Sequence, residues 1–289
     1  MQGEAVRLDD TLRLDDTVRI AVLEPLEQVN NALLNLLKGL EADDWARPTV
    51  HPGRTVKDLT AHLLQGSLGR VSALRDRYLP PGPKVASLEE LIAWIQERNR
   101  EFMTAMRRVS PEILIEMIEV YDQELLSAFS KLDPDGDSLG VAWAGEQVSR
   151  CWFDVAREYT EKWHHQQQLR DATGRPGLDE ESLLRPALET FARGLPFAYR
   201  AVPAEPGARV AVRLTGADRL EWTLRRDKGG WSLWSGVDPQ AETSITMSAD
   251  LAWRVWTRGV LPEEAIARMV IRGDAHLAPP LAAFVAIMA

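Results

Sequence analysis

The sequence predicts a two-domain protein, mainly α with α+β: a helical bundle over residues 1–200 and a smaller α+β domain over residues 201–289. Three observations carry this expectation. Apolar residues recur at helical spacing through most of the first two hundred positions. After Pro203 the pattern changes to alternation, as in Val210, Val212 and Leu214. A chain of 289 residues is also longer than one average domain.

At the N-terminus, VRLDDT is followed by LRLDDT, and alternating Val6, Leu8, Leu12 and Leu14 suggest short strands with Asp-Asp turns, forming a hairpin or an arm. Val22, Leu26, Val29, Leu33 and Leu37 then mark a helix over 20–40. The turn-rich loop DDWARPTVHPGRT leads to a second helix over 55–78, stopped by Leu79-Pro80-Pro81-Gly82-Pro83. Ser87 and Glu90 form a capping-box pattern that opens a third helix to 108. Ser110-Pro111 opens a fourth to 131, with proline at its favoured first position. Asp133-Pro134-Asp135-Gly136-Asp137 lacks the downstream ligand spacing of a calcium loop and reads as a turn. A fifth helix spans 146–173, stopped at Gly174, and a sixth spans 180–199.

In the second domain, strands are expected around 210–214, 220–224, 231–234 and 245–247. Helices are expected over 250–257, 262–267 and 275–288.

The net charge is −9 and no dense Lys/Arg run is present, which argues against nucleic acid as a partner. No stretch approaches 18 apolar residues, so no membrane span is expected. The first ten residues, MQGEAVRLDD, carry no basic-then-apolar leader, and the single Cys151 rules out an intrachain disulfide; both fit a cytoplasmic protein. The ten tryptophans are spread along both halves and suit packing.

Chemistry concentrates on the five histidines, His51, His62, His164, His165 and His276. Glu161 and His165 stand four apart, so on a helix they share a face and can grip one ion. Imidazole plus carboxylate suits zinc or a similar divalent metal, and His62 from the second helix would complete a three-residue set with a position left open. Spacing alone favours a solvated polar face over a ligand pair, because Asp154, Glu158, Glu161, His165 and Gln168 fall along one side. Gly66 and Gly69 follow His62 on its face, and glycine inside a helix costs about 1 kcal/mol relative to alanine. They point either to space for a ligand or to a tight helix crossing.

The segment HPGRTVKDLTAHL resembles the part of the DinB-like superfamily that carries a first histidine ligand. Trp45, Pro48, Thr49, Pro52 and Gly53 fit its preceding loop, and Arg54 stands where the family has tryptophan. REYTEKWHHQQQLRDA resembles the second site helix. Its Glu-x-x-x-His is the form of the mycothiol-dependent maleylpyruvate isomerase branch, although the HHQQQ run departs from that pattern. MVIRGDAHLAPPLAAFVAIMA is similar to the closing segment of that branch's C-terminal domain, which is sterol-carrier-like, so the resemblance covers most of residues 20–289.

The resemblance implies a DinB-like four-helix bundle followed by a small sterol-carrier-like α+β domain. It also implies a metal, zinc first and nickel second, held by His62, Glu161 and His165. The co-substrate implied is a low-molecular-weight thiol such as mycothiol, used in isomerase or S-transferase chemistry on a small substrate. An anionic substrate would need a cation, and Arg254 and Arg258 in DLAWRVWTRGV are the catalytic candidates; the plainer reading is two exposed surface arginines. His164 is expected beside the ligands or exposed, and His51 as a loop residue at the entrance. No role is assigned to His276 or Cys151. Two other functions fit the same residues: a lipid or small-molecule binding module with a structural metal, and a thiol-independent metal hydrolase.

Overall fold

A computed structural model describes residues 11–84 and 86–287. The chain divides into two compact units, each discontinuous in sequence. The helical unit comprises Ala21–Gly136 and Glu158–Leu183; the sheet unit comprises the described N-terminal residues through Ile20, Asp137–Arg157 and Leu184–Ile287. This division differs from a single cut at residue 200. Residues 137–157 and 184–200 make their contacts within the sheet unit, where the aromatic rings of Trp143 and Phe284 lie 6.2 Å apart.

The helical unit contains α1 (Leu23–Lys38), α2 (Val56–Leu74), α3 (Leu88–Met106), α4 (Pro111–Phe129) and, from Glu158 onward, α5 (Cys151–Thr173). All five contribute to one apolar core, including Leu33 and Leu37 of α1, Leu59 and Leu64 of α2, Met103 of α3, Leu114 and Ile118 of α4, and Leu169 of α5. The expected N-terminal signals operate. Ser87 Oγ accepts from the Glu90 amide at 3.1 Å, and Ser110 Oγ accepts from Ile113 at 3.4 Å with Pro111 behind it. The Glu90 carboxylate reaches the Ala86 amide rather than that of Ser87.

A full capping box starts α2: the Asp58 amide donates to Thr55 Oγ1 at 3.3 Å, and the Thr55 amide donates to Asp58 Oδ2 at 3.0 Å. Arg107, just past α3, adds a two-pronged pair to the same carboxylate at 2.8 and 2.9 Å. One buried carboxylate thus caps α2 and ties it to the end of α3.

In the sheet unit five strands run in the order β5-β4-β3-β6-β7: β3 (Arg209–Thr215), β4 (Glu221–Asp227), β5 (Gly230–Ser235), β6 (Thr243–Ser248) and β7 (Val270–Arg272). Only β3 and β6 pair in parallel, with Val212 opposite Ile245; the other pairs are antiparallel. Ser248 ends β6 and caps α8 (Ala249–Trp256), whose buried Leu251, Trp253 and Trp256 close one side of the unit. Next comes α9 (Pro262–Arg268).

Several elements differ from the sequence expectation. Residues 146–150 are not helical; Val148–Arg150 is β2, paired with β1 (Asp137–Leu139). The sixth helix splits into α6 (Glu181–Ala192) and α7 (Leu195–Ala198) at Gly194, where a Cβ would lie 2.5 Å from the Phe284 ring. The last helix shrinks to a 3-10 turn and α10 (Pro279–Ala283). Pro279-Pro280 denies continuity from the preceding turn, and Phe284 leaves in an extended conformation to pack on Trp143 and Trp256. The short β7 was not foreseen. Leu12 and Leu14 form an arm along the edge of β5: the Leu14 amide donates to Leu233 O and the Ser235 amide to Leu12 O, both at 2.8 Å. Val6 and Leu8 lie outside the described residues. Among the described residues, no helix is long and apolar enough to cross a membrane.

Burial by itself would raise the Asp58 carboxyl, but the Arg107 hydrogen bonds and those from Thr55 outweigh it and hold it below its ordinary value of 3.8. Its stabilisation is therefore fully present above pH 3.8 and is lost as pH falls through the lower folded value. Asp58→Asn is expected to be less stable than wild type by about 1–2 kcal/mol at pH 7, with the gap closing below pH 4. Denaturant unfolding of both proteins across pH 7 to 3 measures this, and a gap independent of pH would contradict it.

Candidate metal centre

The second half of α5 is polar by sequence and buried by structure. Thr160, Lys162, His164, His165, Gln166, Gln167 and Gln168 are all at most 5% exposed. The solvated-face reading of this helix therefore fails, and each side chain needs a partner inside the protein.

The partners are present. Lys162 Nζ lies 2.5 Å from Asp122 Oδ1 on α4 and 2.8 Å from Ser67 Oγ on α2, and Ser67 Oγ donates to the same carboxylate oxygen at 2.6 Å. Gln166 Nε2 donates to Val29 O on α1 at 2.9 Å. Gln167 Oε1 accepts from the Leu178 amide at 2.7 Å. His164 Nδ1 donates to Thr160 O at 2.8 Å within α5; the residue is buried rather than exposed, with its ring 4.0 Å from that of His165. Tyr159 Oη donates to Leu183 O at 2.5 Å and Trp163 Nε1 to Leu178 O at 3.3 Å. These bonds fix the rotation of α5 about its axis.

That rotation presents Glu161 and His165, one turn apart, to His62 in the middle of α2. Glu161 Oε1 stands 3.0 Å from His165 Nε2 and 3.2 Å from His62 Nε2. One donor atom from each of the three residues lies within 4.8 Å of the others, and this is the grouping of metal-binding side chains found among the described residues. Ligand atoms about 2.0–2.1 Å from a tetrahedral ion sit roughly 3.4 Å from one another, so the observed spacings fit a small divalent metal. Two imidazoles and a carboxylate suit zinc or nickel and leave a position free. The Glu161 side chain is 34% exposed, so the cluster is open on one side.

The protonation states also suit a metal. Burial pushes His165 down to about 3, so its imidazole is neutral at pH 7. Burial would raise Glu161, but its neighbours His165 and His62 outweigh that and keep the carboxyl well below its usual range. Neutral imidazole and ionised carboxylate are the forms that bind a metal.

The glycines beside His62 are not there for a tight crossing. A Cβ at Gly66 would make an ordinary 3.5 Å contact with Glu158 Oε1, and one at Gly69 would meet nothing within 4 Å.

The sequence model of the mycothiol maleylpyruvate isomerase N-terminal domain matches residues 26–170, which include all three metal-binding candidates. This chain belongs to that family. A crystal structure of the mycothiol-dependent maleylpyruvate isomerase superposes with a TM-score of 0.50 at 13% identity, over 81% of this chain and 86% of that one. At this identity the likeness is one of fold alone. A second crystal structure, of a histidine-to-alanine mutant of the mycothiol-dependent maleylpyruvate isomerase, gives 0.49 at 12% identity over the same shares. No curated protein matches.

The structure brings together His62, Glu161 and His165 from the expected set. Arg254 and Arg258 belong to the other unit. There Arg254 pairs with Asp250 at 2.9 Å and stacks over Trp253, and Arg258 is exposed with a left-handed φ of 62°. His276 is exposed in the sheet unit, and Cys151 is buried there. Sequence reasoning passed over Lys162 and Gln168. Gln168 stood in the same-face stripe with His165, whereas nothing in the sequence marks Lys162 as buried.

Removing one member of a buried ion pair leaves the other charge uncompensated, at a cost of about 3–5 kcal/mol, whereas replacing both by apolar groups is close to neutral. Lys162→Met is accordingly expected to destabilise by that amount, and Lys162→Met with Asp122→Leu to recover most of it. Denaturant midpoints of the two single variants and the double variant decide the point; equal destabilisation in all three would refute the pairing.

Proposed function

We propose that this chain is a metal-dependent enzyme that uses a low-molecular-weight thiol, mycothiol or a close analogue, for isomerase or S-transferase chemistry on a small substrate. The observation that supports it most is Glu161 Oε1 lying within 3.2 Å of both His62 Nε2 and His165 Nε2, in a buried cluster open on one side. Family membership supports the choice of thiol, since the relatives of known structure are mycothiol-dependent isomerases.

Zinc, or nickel in its place, would be held by His62, Glu161 and His165, and when bound it would lower the pKa of a thiol at the free position, making the thiolate nucleophile. Glu161 contributes the negative charge of the cluster, and the buried His165 imidazole contributes nitrogen without charge. Gly66 and Gly69 leave the side of α2 next to His62 without bulk. Arg254 and Arg258 are the proposed cations for an anionic substrate; Arg258 is the better candidate, because Arg254 is already paired with Asp250.

The decisive experiment is elemental analysis of protein purified without a metal-affinity tag, alongside His165→Ala. About one equivalent of zinc or nickel is expected in wild type and little in the variant, whose fold is retained. Loaded protein is then assayed on unsaturated dicarboxylates with and without mycothiol, and turnover is expected only with the thiol. Turnover without thiol would replace this reading by a thiol-independent metal enzyme. No metal in wild type even after reconstitution would end it.

A further inference from the structure

Two residues outside the ligand set meet His165 from behind. Gln168 lies three positions further along α5 and so shares the face of His165. It is 4% exposed, and its Oε1 stands 2.8 Å from His165 Nδ1 and 3.0 Å from His51 Nε2. His51 comes from the loop before α2. That loop is held by the His51 amide on Thr49 Oγ1 at 3.3 Å, by the Arg54 amide on His51 O at 3.1 Å, and by the Pro48–Thr55 bridge. The rings of His51 and His165 are 5.8 Å apart.

An amide oxygen only accepts hydrogen bonds, so both imidazoles must turn an N–H toward it. This makes His165 the Nδ1–H tautomer and leaves the lone pair of Nε2 directed into the cluster with Glu161 and His62. The opposite amide orientation would place the proton on His165 Nε2, where it would point at Glu161 and occupy the lone pair a metal needs. His62 has no comparable support, because its Nδ1 is buried without a hydrogen-bond partner among the described residues.

We propose that Gln168 and His51 are positioning residues of the metal centre: the Gln168 carbonyl holds His165 in its metal-binding tautomer, and His51 anchors that carbonyl. The assignment deepens the proposed function and rests on its metal centre. It gives Gln168, the last residue of the HHQQQ run, and the loop histidine, both unaccounted for by the ligand set, one shared task. Outer partners of this kind typically change metal affinity by about 10–100-fold when lost.

The test uses zinc alone as the probe. Zinc affinity is measured by chelator competition on the full chain for wild type, Gln168→Leu, Gln168→Glu and His51→Ala, with the melting temperature of each zinc-free protein as a control on folding. Gln168→Glu keeps an acceptor and is expected to bind zinc as tightly as wild type. Gln168→Leu is expected to bind it about 10–100-fold more weakly, and His51→Ala about 10-fold more weakly, without a matching loss of melting temperature. Nitrogen-15 NMR of zinc-loaded wild type is expected to show the proton of His165 on Nδ1.

Unchanged affinity in Gln168→Leu overturns the proposal, as does equal weakening in Gln168→Glu, which would mark a packing role only. A proton on His165 Nε2 in the zinc-loaded wild type also overturns it, and this last measurement stands even if Gln168→Leu fails to fold. Failure of wild type to bind zinc at all would instead strike the metal centre itself, and the positioning role with it.

Discussion

Burying a polar helix is the constraint around which the helical unit is built. From Thr160 to Gln168, α5 places a lysine, two histidines and three glutamines in the interior. Polar groups moved out of water without partners would cost more than the net stability of a typical domain. Several surrounding elements therefore supply partners: the backbone carbonyl of Val29 on α1, Ser67 and His62 of α2, Asp122 of α4, the His51 loop, and the turn at Leu178. Apolar contacts such as those of Leu59, Leu114 and Leu169 favour burial without strongly fixing register, whereas hydrogen bonds with defined directions do fix it.

The metal centre is where this satisfaction is incomplete. Glu161 is the member of the run that faces two imidazole nitrogens and reaches solvent. Glu161 brings a negative charge beside the neutral His165 imidazole, an arrangement completed by a cation. The Lys162 ammonium, one residue along, points the other way into Asp122, so two neighbouring residues on one helix settle opposite charges in separate compartments. The same helix thereby serves as structural brace and as ligand platform.

The sheet unit is held by different means. Burial alternates along β6, whereas β3, β4 and β5 bury the continuous runs 210–212, 222–224 and 231–233, and the arm at Leu12–Leu14 covers part of the edge of β5 that would otherwise be open to pairing with another chain. Aromatic rings do much of the packing: Trp143 and Trp256 each lie about 6 Å from Phe284 in edge-on contacts, the geometry that the charge distribution of aromatic rings favours.

The sequence by itself determined the helices with clear caps and apolar stripes and the strands with strict alternation, and it named the three residues that the structure gathers into one cluster. These signals are local: a serine before a helix, a proline at its first turn, a glutamate and a histidine four apart. His62 was legible through its resemblance to a known ligand segment, because spacing cannot join positions a hundred residues apart. Only the tertiary structure decided that α5 is buried, since a polar stripe reads the same whether water or protein partners satisfy it. It alone showed Lys162 paired with Asp122, and Gln168 bonded to His51 and His165. It also decided the broken sixth helix, the shortened last helix, and the placing of residues 137–157 with the sheet unit. The reason is common to all of these: a hydrogen bond or ring contact between distant segments leaves no period in either segment, and appears only once the chain has closed on itself.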